Sequence, residues 1–225
     1  MGRGAYQHRG ARQRRIGGAT AAVAALLSVA LCGGSTSAQQ GEDAEEIPTL
    51  PLSFAVASVD GKPVVDEAWL DDQVQWVNRI FEKPGLSFSR TAVHELPEAH
   101  TRMETRRDRH RLGRQLRDDV INCFIVESLR DVDDPSRYRM GVHWRPAGMP
   151  GRHFVIVSSI ARPTVLAHEL GHFFGNRVHP DTPGNIMSYN RGSAVPFFDD
   201  DQSRRIQRFS RRFLRSGELL PASEL

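Results

Sequence analysis

The chain has 225 residues, 39% hydrophobic and 25% charged, with 19 Gly and 13 Pro, a balance that excludes collagen-like, coiled-coil and fully disordered chains. Its formal charge of +3 comes from one end: Arg3, Arg9, Arg12, Arg14 and Arg15 precede residue 38, and no acid does. Without those five, the 30 basic residues fall below the 27 acidic ones, so charge gives no case for a nucleic-acid partner.

Residues 1–15 are polar and Arg-rich, residues 16–31 carry no charge, and small residues follow up to Ala38. This is the order of a secretory signal peptide, with cleavage expected after Ala38. Two alternatives stay open. Cys32 heads a CGGS stretch that suits lipidation, and a retained leader would act as an anchor, although 16–31 is short for a span of about 20 residues. A membrane partner is expected only in those two cases. Residues 39–51 are acidic and Pro-containing and read as a linker or short pro-segment. Residues 52–225 then form one domain, large enough for one core. Cys123 is the only cysteine beyond the leader, so an internal disulfide is excluded there.

Within the domain, 52–59 reads as a strand closed by Asp60-Gly61. From Asp66 the apolar residues Trp69, Leu70, Val74, Val77, Ile80 and Phe81 repeat at helical spacing, predicting a helix over 66–82. Residues 86–95 alternate as a strand. Residues 98–118 hold seven Arg between 102 and 117 and read as a solvated helix or excursion laced with Glu–Arg pairs. Residues 120–129 form an apolar run suited to a strand covered on both faces. Residues 138–146 read as a half-exposed edge strand and 153–160 as another strand. A helix is expected over 163–175 with Pro163 in its first turn. A last helix runs from Asp199 to Ser216, with Ile206, Phe209 and Phe213 on one face.

The chemistry lies in LAHELGHFFGNRVHP, residues 166–180. His168 and His172 are four apart on a helix, so their imidazoles lie about 40° apart on one face. That spacing lets one Zn²⁺ bind both at about 2.0–2.1 Å. Glu169 lies on the same side, placed to act on a water rather than on the metal, which is the position of a general base. Gly175 can end the helix and let the chain turn back. His179 and Asp181 follow, and Met187 sits in a polar loop, NIMSY.

These residues resemble the metzincin zinc peptidases, with their H-E-x-x-H-x-x-G-x-x-H pattern and Met-containing turn. The MSY triplet and the His-Pro pair look like the astacin and serralysin branches. The resemblance implies an α/β (α+β) fold: a twisted, mostly parallel sheet with an antiparallel edge strand, packed on the zinc helix, then the Met-turn and a C-terminal helix. It implies zinc as cofactor, a peptide or protein substrate and Tyr189 as a residue that stabilises the oxyanion. It makes 138–146 the strand that pairs with an extended substrate, 190–198 a wall of the pocket, and 98–118 an insertion. One position departs from the pattern. The third His should come three residues after the Gly, where Val178 stands and cannot ligate. Either the loop absorbs an extra residue and His179 binds, or Asp181 does; imidazole chemistry favours His179. The expected activity is that of an exported zinc metalloendopeptidase with Glu169 as base. The rival is a non-catalytic zinc-stabilised binding or structural domain of the cell envelope.

Overall fold

The computed structural model describes residues 47–225 apart from 191 and 193. The leader, Cys32, the Ala38 site and most of the 39–51 segment lie outside the described residues. The first strand, β1, spans Leu50–Val59 and so starts two residues before the expected position. Ile47 and Leu50 are already buried, which places the end of the expected linker inside the domain. A two-residue strand β2 (Lys62–Pro63) folds back on β1 after the Asp60-Gly61 turn.

Helix α1 (Glu67–Phe81) starts where Asp66 accepts a hydrogen bond from the Trp69 N–H, which satisfies one of the donors that a helix start leaves open. It returns the chain to β3 (Phe88–Leu96), which lies parallel to β1. The Arg-rich stretch follows as β4 (Arg102–Met103) and α2 (Arg106–Arg111). After it come β5 (Ile121–Val126), β6 (Ser128–Leu129), β7 (Gly141–Trp144) and β8 (Phe154–Ser158). Helix α3 is Val165–Phe173 and α4 is Asp200–Ser216.

The main sheet runs β3-β1-β5-β8-β7, with β2 paired to the far end of β1. The pairs among β3, β1, β5 and β8 are parallel, and β7 joins β8 antiparallel as the outer strand. The expected mixed sheet with an antiparallel edge is therefore present. β4 and β6 form a separate parallel pair.

One face of the sheet packs on α1, α3 and α4 through Leu52, Phe54, Val77, Phe81, Leu166, Leu170, Phe174, Ile206 and Phe213. Phe81 stands edge-on to Phe88 and Phe198, at centroid distances of 5.0 and 4.9 Å, a geometry that adds about 0.5–1.5 kcal/mol per pair to the area buried. The opposite face carries Ala55, Phe124, Phe154 and Ile156. Its cover is the Arg-rich stretch, which contributes Met103 and Leu112, both fully buried. Burial on both faces explains why 121–126 reads as one apolar run rather than an alternation.

That stretch differs from the expected solvated helix. Only Arg106–Arg111 is α-helical, started by a capping box between Thr105 and Asp108. Its ion pairs mostly join separate elements, with Arg102 on Glu127 and Arg106 on Asp133. Arg109 is itself buried, at 3% exposure. The zinc-motif helix is also shorter than expected. Pro163 precedes it in a turn where the Val165 N–H reaches the Arg162 carbonyl at 3.0 Å; the fixed φ of proline suits the second position of such a turn. β7 is shorter than 138–146, because Tyr138 forms an isolated bridge with Arg130 instead.

Candidate metal centre

Helix α3 presents His168 and His172 on one face, and the chain after it delivers a third imidazole. Candidate ligand atoms of His168, His172 and His179 all lie within 4.8 Å of one another. The return depends on Gly175, whose φ of +91° is left-handed backbone that a side chain rarely adopts. Asn176 then caps the helix through its N–H to the Gly171 carbonyl at 3.0 Å. The Asn176 carbonyl in turn accepts from Nδ1 of His172 at 2.6 Å. His168 is held in the same way, its Nδ1 donating to the Ile186 carbonyl at 2.7 Å. Each carbonyl can only accept, so it fixes the Nδ1–H tautomer and turns Nε2, with its lone pair, toward the cluster.

The imidazole that joins the pair is that of His179. Val178 is 74% exposed and points away, so the loop absorbs the extra residue by turning Val178 out. Nε2 of His179 stands 3.1 Å from Nε2 of His172. Two ligands of a tetrahedral zinc site lie about 3.3 Å apart, so this spacing is close to one edge of that tetrahedron. Asp181 is exposed and is not part of the cluster. Burial holds His172 at a pKa of about 4 and also lowers His179, keeping both neutral as a ligand requires. Three imidazoles, two of them oriented by carbonyls, fit a borderline-soft divalent cation.

Glu169 is buried between α3 and the edge strand. Desolvation raises its pKa to about 8, against the lowering effect of the His143 N–H, which donates to it, and of Arg139 and Arg109. Its space exists because residue 141 has no side chain. A Cβ on Gly141 would stand 2.6 Å from Val165 Cγ1 and 2.8 Å from Glu169 Cγ. Beneath the cluster Met187 is fully buried, and a Cβ on Gly171 would meet its Sδ at 2.4 Å. The hydrophobic floor therefore presses directly on the helix between the two motif histidines.

Tyr189 is 64% exposed, and its ring stacks on His179 at 4.4 Å between centroids. It lines a cavity of about 590 Å³ together with the three histidines, Glu169 and all of β7. The outer strand thus forms one rim of the cleft. None of the described residues of 190–198, the expected wall, lines this cavity. Asn185 and Phe197 form a bridge there, and Phe198 is core packing against Phe81.

Sequence reasoning missed Gly141, Gly171 and His143. A glycine inside a strand pattern signals a close approach, so Gly141 carried a readable clue. The His143 contribution is a backbone N–H, which no residue type announces.

No family model and no curated protein matches the chain. Solved structures do. Metalloproteinase-II from Bacteroides fragilis is 14% identical with a TM-score of 0.51, covering 73% of this chain and 53% of its own. The present chain thus spans about half of that protein. Mirolysin of Tannerella forsythia is 10% identical with a TM-score of 0.52, covering 77% and 99%. At these identities the likeness is one of fold.

Proposed function

We propose that the chain is a zinc-dependent peptidase. The observation that carries the reading is the convergence of three oriented imidazoles beside a buried carboxylate, on the open rim of a sheet. The metalloproteinase and mirolysin folds support it. His168, His172 and His179 would hold the ion. Bound there, zinc would supply a Lewis acid and bring the pKa of a water toward about 7.

The chain's own residues do the rest. The unpaired edge of β7 offers backbone donors and acceptors to an extended peptide, a β-augmentation mode. Glu169, held by the His143 N–H, takes the proton of the attacking water and returns it to the leaving amine. Tyr189, at the mouth of the cavity, donates its hydroxyl proton as a hydrogen bond to the developing oxyanion. We further propose export, on the Arg-rich, uncharged, small-residue order of the first 38 residues; a mature terminus at Gln39, read by mass spectrometry, supports it.

The test is elemental analysis with cleavage of a peptide library by wild type and Glu169→Ala. One zinc per chain in both, with cleavage by wild type alone, supports the reading. Zinc without any cleavage favours the structural-domain alternative.

A further inference from the structure

Five arginines line the cleft: Arg106, Arg109, Arg139, Arg145 and Arg177. Three of them have partners. Arg106 pairs with Asp133 and Arg139 with Asp131. Arg109 donates to the Arg130 carbonyl and lies over the Trp144 ring at 4.9 Å. Arg145 and Arg177 differ, since among the described residues neither makes an ion pair or side-chain hydrogen bond.

Both line the same cavity. Arg145 directly follows β7, and Arg177 lies two residues before His179. Each also lies within the other's electrostatic reach. Partial burial and then the neighbouring Arg177 push the Arg145 guanidinium below its usual range, with Glu218 opposing more weakly. Glu218 is already engaged, accepting from Nε2 of His153 at 2.8 Å. The cleft is therefore positive while the chain beyond the leader carries more acids than bases. A charge gathered in a concave site against the sign of the whole is a field focused on a ligand. Two guanidiniums without partners among the described residues, on the lining of one cavity, present planar donor forks that match a carboxylate.

We infer that Arg145 and Arg177 form a carboxylate-binding subsite, so that the substrate is a peptide with a carboxylate within a few residues of the cut bond; this rests on the peptidase reading above. An extended peptide advances about 3.3 Å per residue, and along β7 only Trp144 separates His143, beside the metal centre, from Arg145. The carboxylate has two sources, an Asp or Glu side chain or the α-carboxylate of a chain end.

The test uses the zinc-loaded protein and peptides that differ by Glu against Gln at each position from three before to three after the cut, each with a free or amidated C-terminus. A Glu/Gln ratio in kcat/KM of about 10–100-fold at one position is expected at low salt, shrinking as salt is added. In the Arg145→Gln, Arg177→Gln double variant the ratio should fall to within about two-fold. The equally charge-reducing Arg211→Gln, Arg215→Gln variant on α4 should keep it. A gain confined to free C-termini assigns the subsite to chain ends; a gain with amidated peptides assigns it to side chains. Equal cleavage of Glu and Gln peptides with either terminus, or a ratio that survives the double substitution, overturns the inference. Fluorescence anisotropy of labelled Glu and Gln peptides separates the two readings: if nothing is cleaved but the Glu peptide binds about 10-fold tighter in an Arg145/Arg177-dependent way, the subsite stands and the peptidase reading falls.

Discussion

Glu169→Gln tests the site by stability as well as by activity. The carboxyl is 6% exposed and its pKa is raised from 4.5 to about 8, first by desolvation. The folded metal-free protein therefore holds a proton there that the unfolded chain releases near pH 4.5. Stability from this group is fully present below pH 4.5 and is lost as pH rises through 8. At 1.36 kcal/mol per tenfold change, the full loss is about 5 kcal/mol; water penetration makes roughly 2–5 kcal/mol the working range. Gln keeps the shape and still accepts from the His143 N–H, but cannot ionise. In urea melts of chelator-treated protein, wild type should weaken relative to Glu169→Gln by that amount between pH 5 and 8.5. The buried histidines titrate alike in both proteins and cancel in the difference. A nearby divalent cation favours the carboxylate, so zinc should abolish most of the gap. Zinc-loaded Glu169→Gln should keep its metal and lose about 10²–10⁴-fold in turnover. Parallel pH profiles of the two metal-free proteins would refute the argument, because the carboxyl would then not be desolvated against α3 and β7.

His179→Ala should lower zinc affinity by at least about 10-fold while Asp181→Ala leaves it unchanged, read by competition with a chelating dye; the opposite result would reassign the third ligand. Tyr189→Phe should cost about 10–10³-fold in kcat with zinc retained, and an unchanged kcat would leave Tyr189 as a stacking partner of His179 only. Gly141→Ala should destabilise by about 1–3 kcal/mol through overpacking on Val165 and Glu169 and reduce cleavage beyond what its folded fraction explains; a wild-type melt would contradict the close approach.

The helices and strands with strong periodicity were legible because one residue type does one job at each position. Asp66 and Asp199 cap α1 and α4, and the 121–126 run is buried on both sides. His168, Glu169 and His172 were legible because four-residue spacing on a helix fixes their shared face before any tertiary contact exists. His179 was less so. Its place depends on how a loop distributes one extra residue, and only the outward turn of Val178 decides that. The 98–118 stretch misled through composition. Seven arginines suggest solvent, but ion pairs to other elements and two buried apolar residues, Met103 and Leu112, fold it onto the sheet. The 190–198 expectation came from resemblance alone.

The Arg-rich stretch also bears on the cleft, because α2 grips the outer strand at its end. Arg109 lies over the Trp144 ring, and Nδ1 of His110 accepts from Trp144 Nε1 at 3.1 Å and from the Ala147 N–H at 3.0 Å. An outer strand of four residues, paired on one side only, is a weak element by itself. Here its last residue is fastened from the far face of the sheet, while Gly141 at its start is pressed against Val165 and Glu169. The outer strand is thus held at both ends, and between them lies the His143 N–H that donates to the Glu169 carboxylate. Loosening the Trp144 end, by Arg109→Met or His110→Ala, would disturb Glu169 through that one strand without touching the three clustered histidines. Such variants should keep zinc, lose kcat by less than Glu169→Gln does, and show faster amide exchange at His143 than wild type. Unchanged exchange at His143 with unchanged kcat would show that the strand needs no support from the Arg-rich stretch.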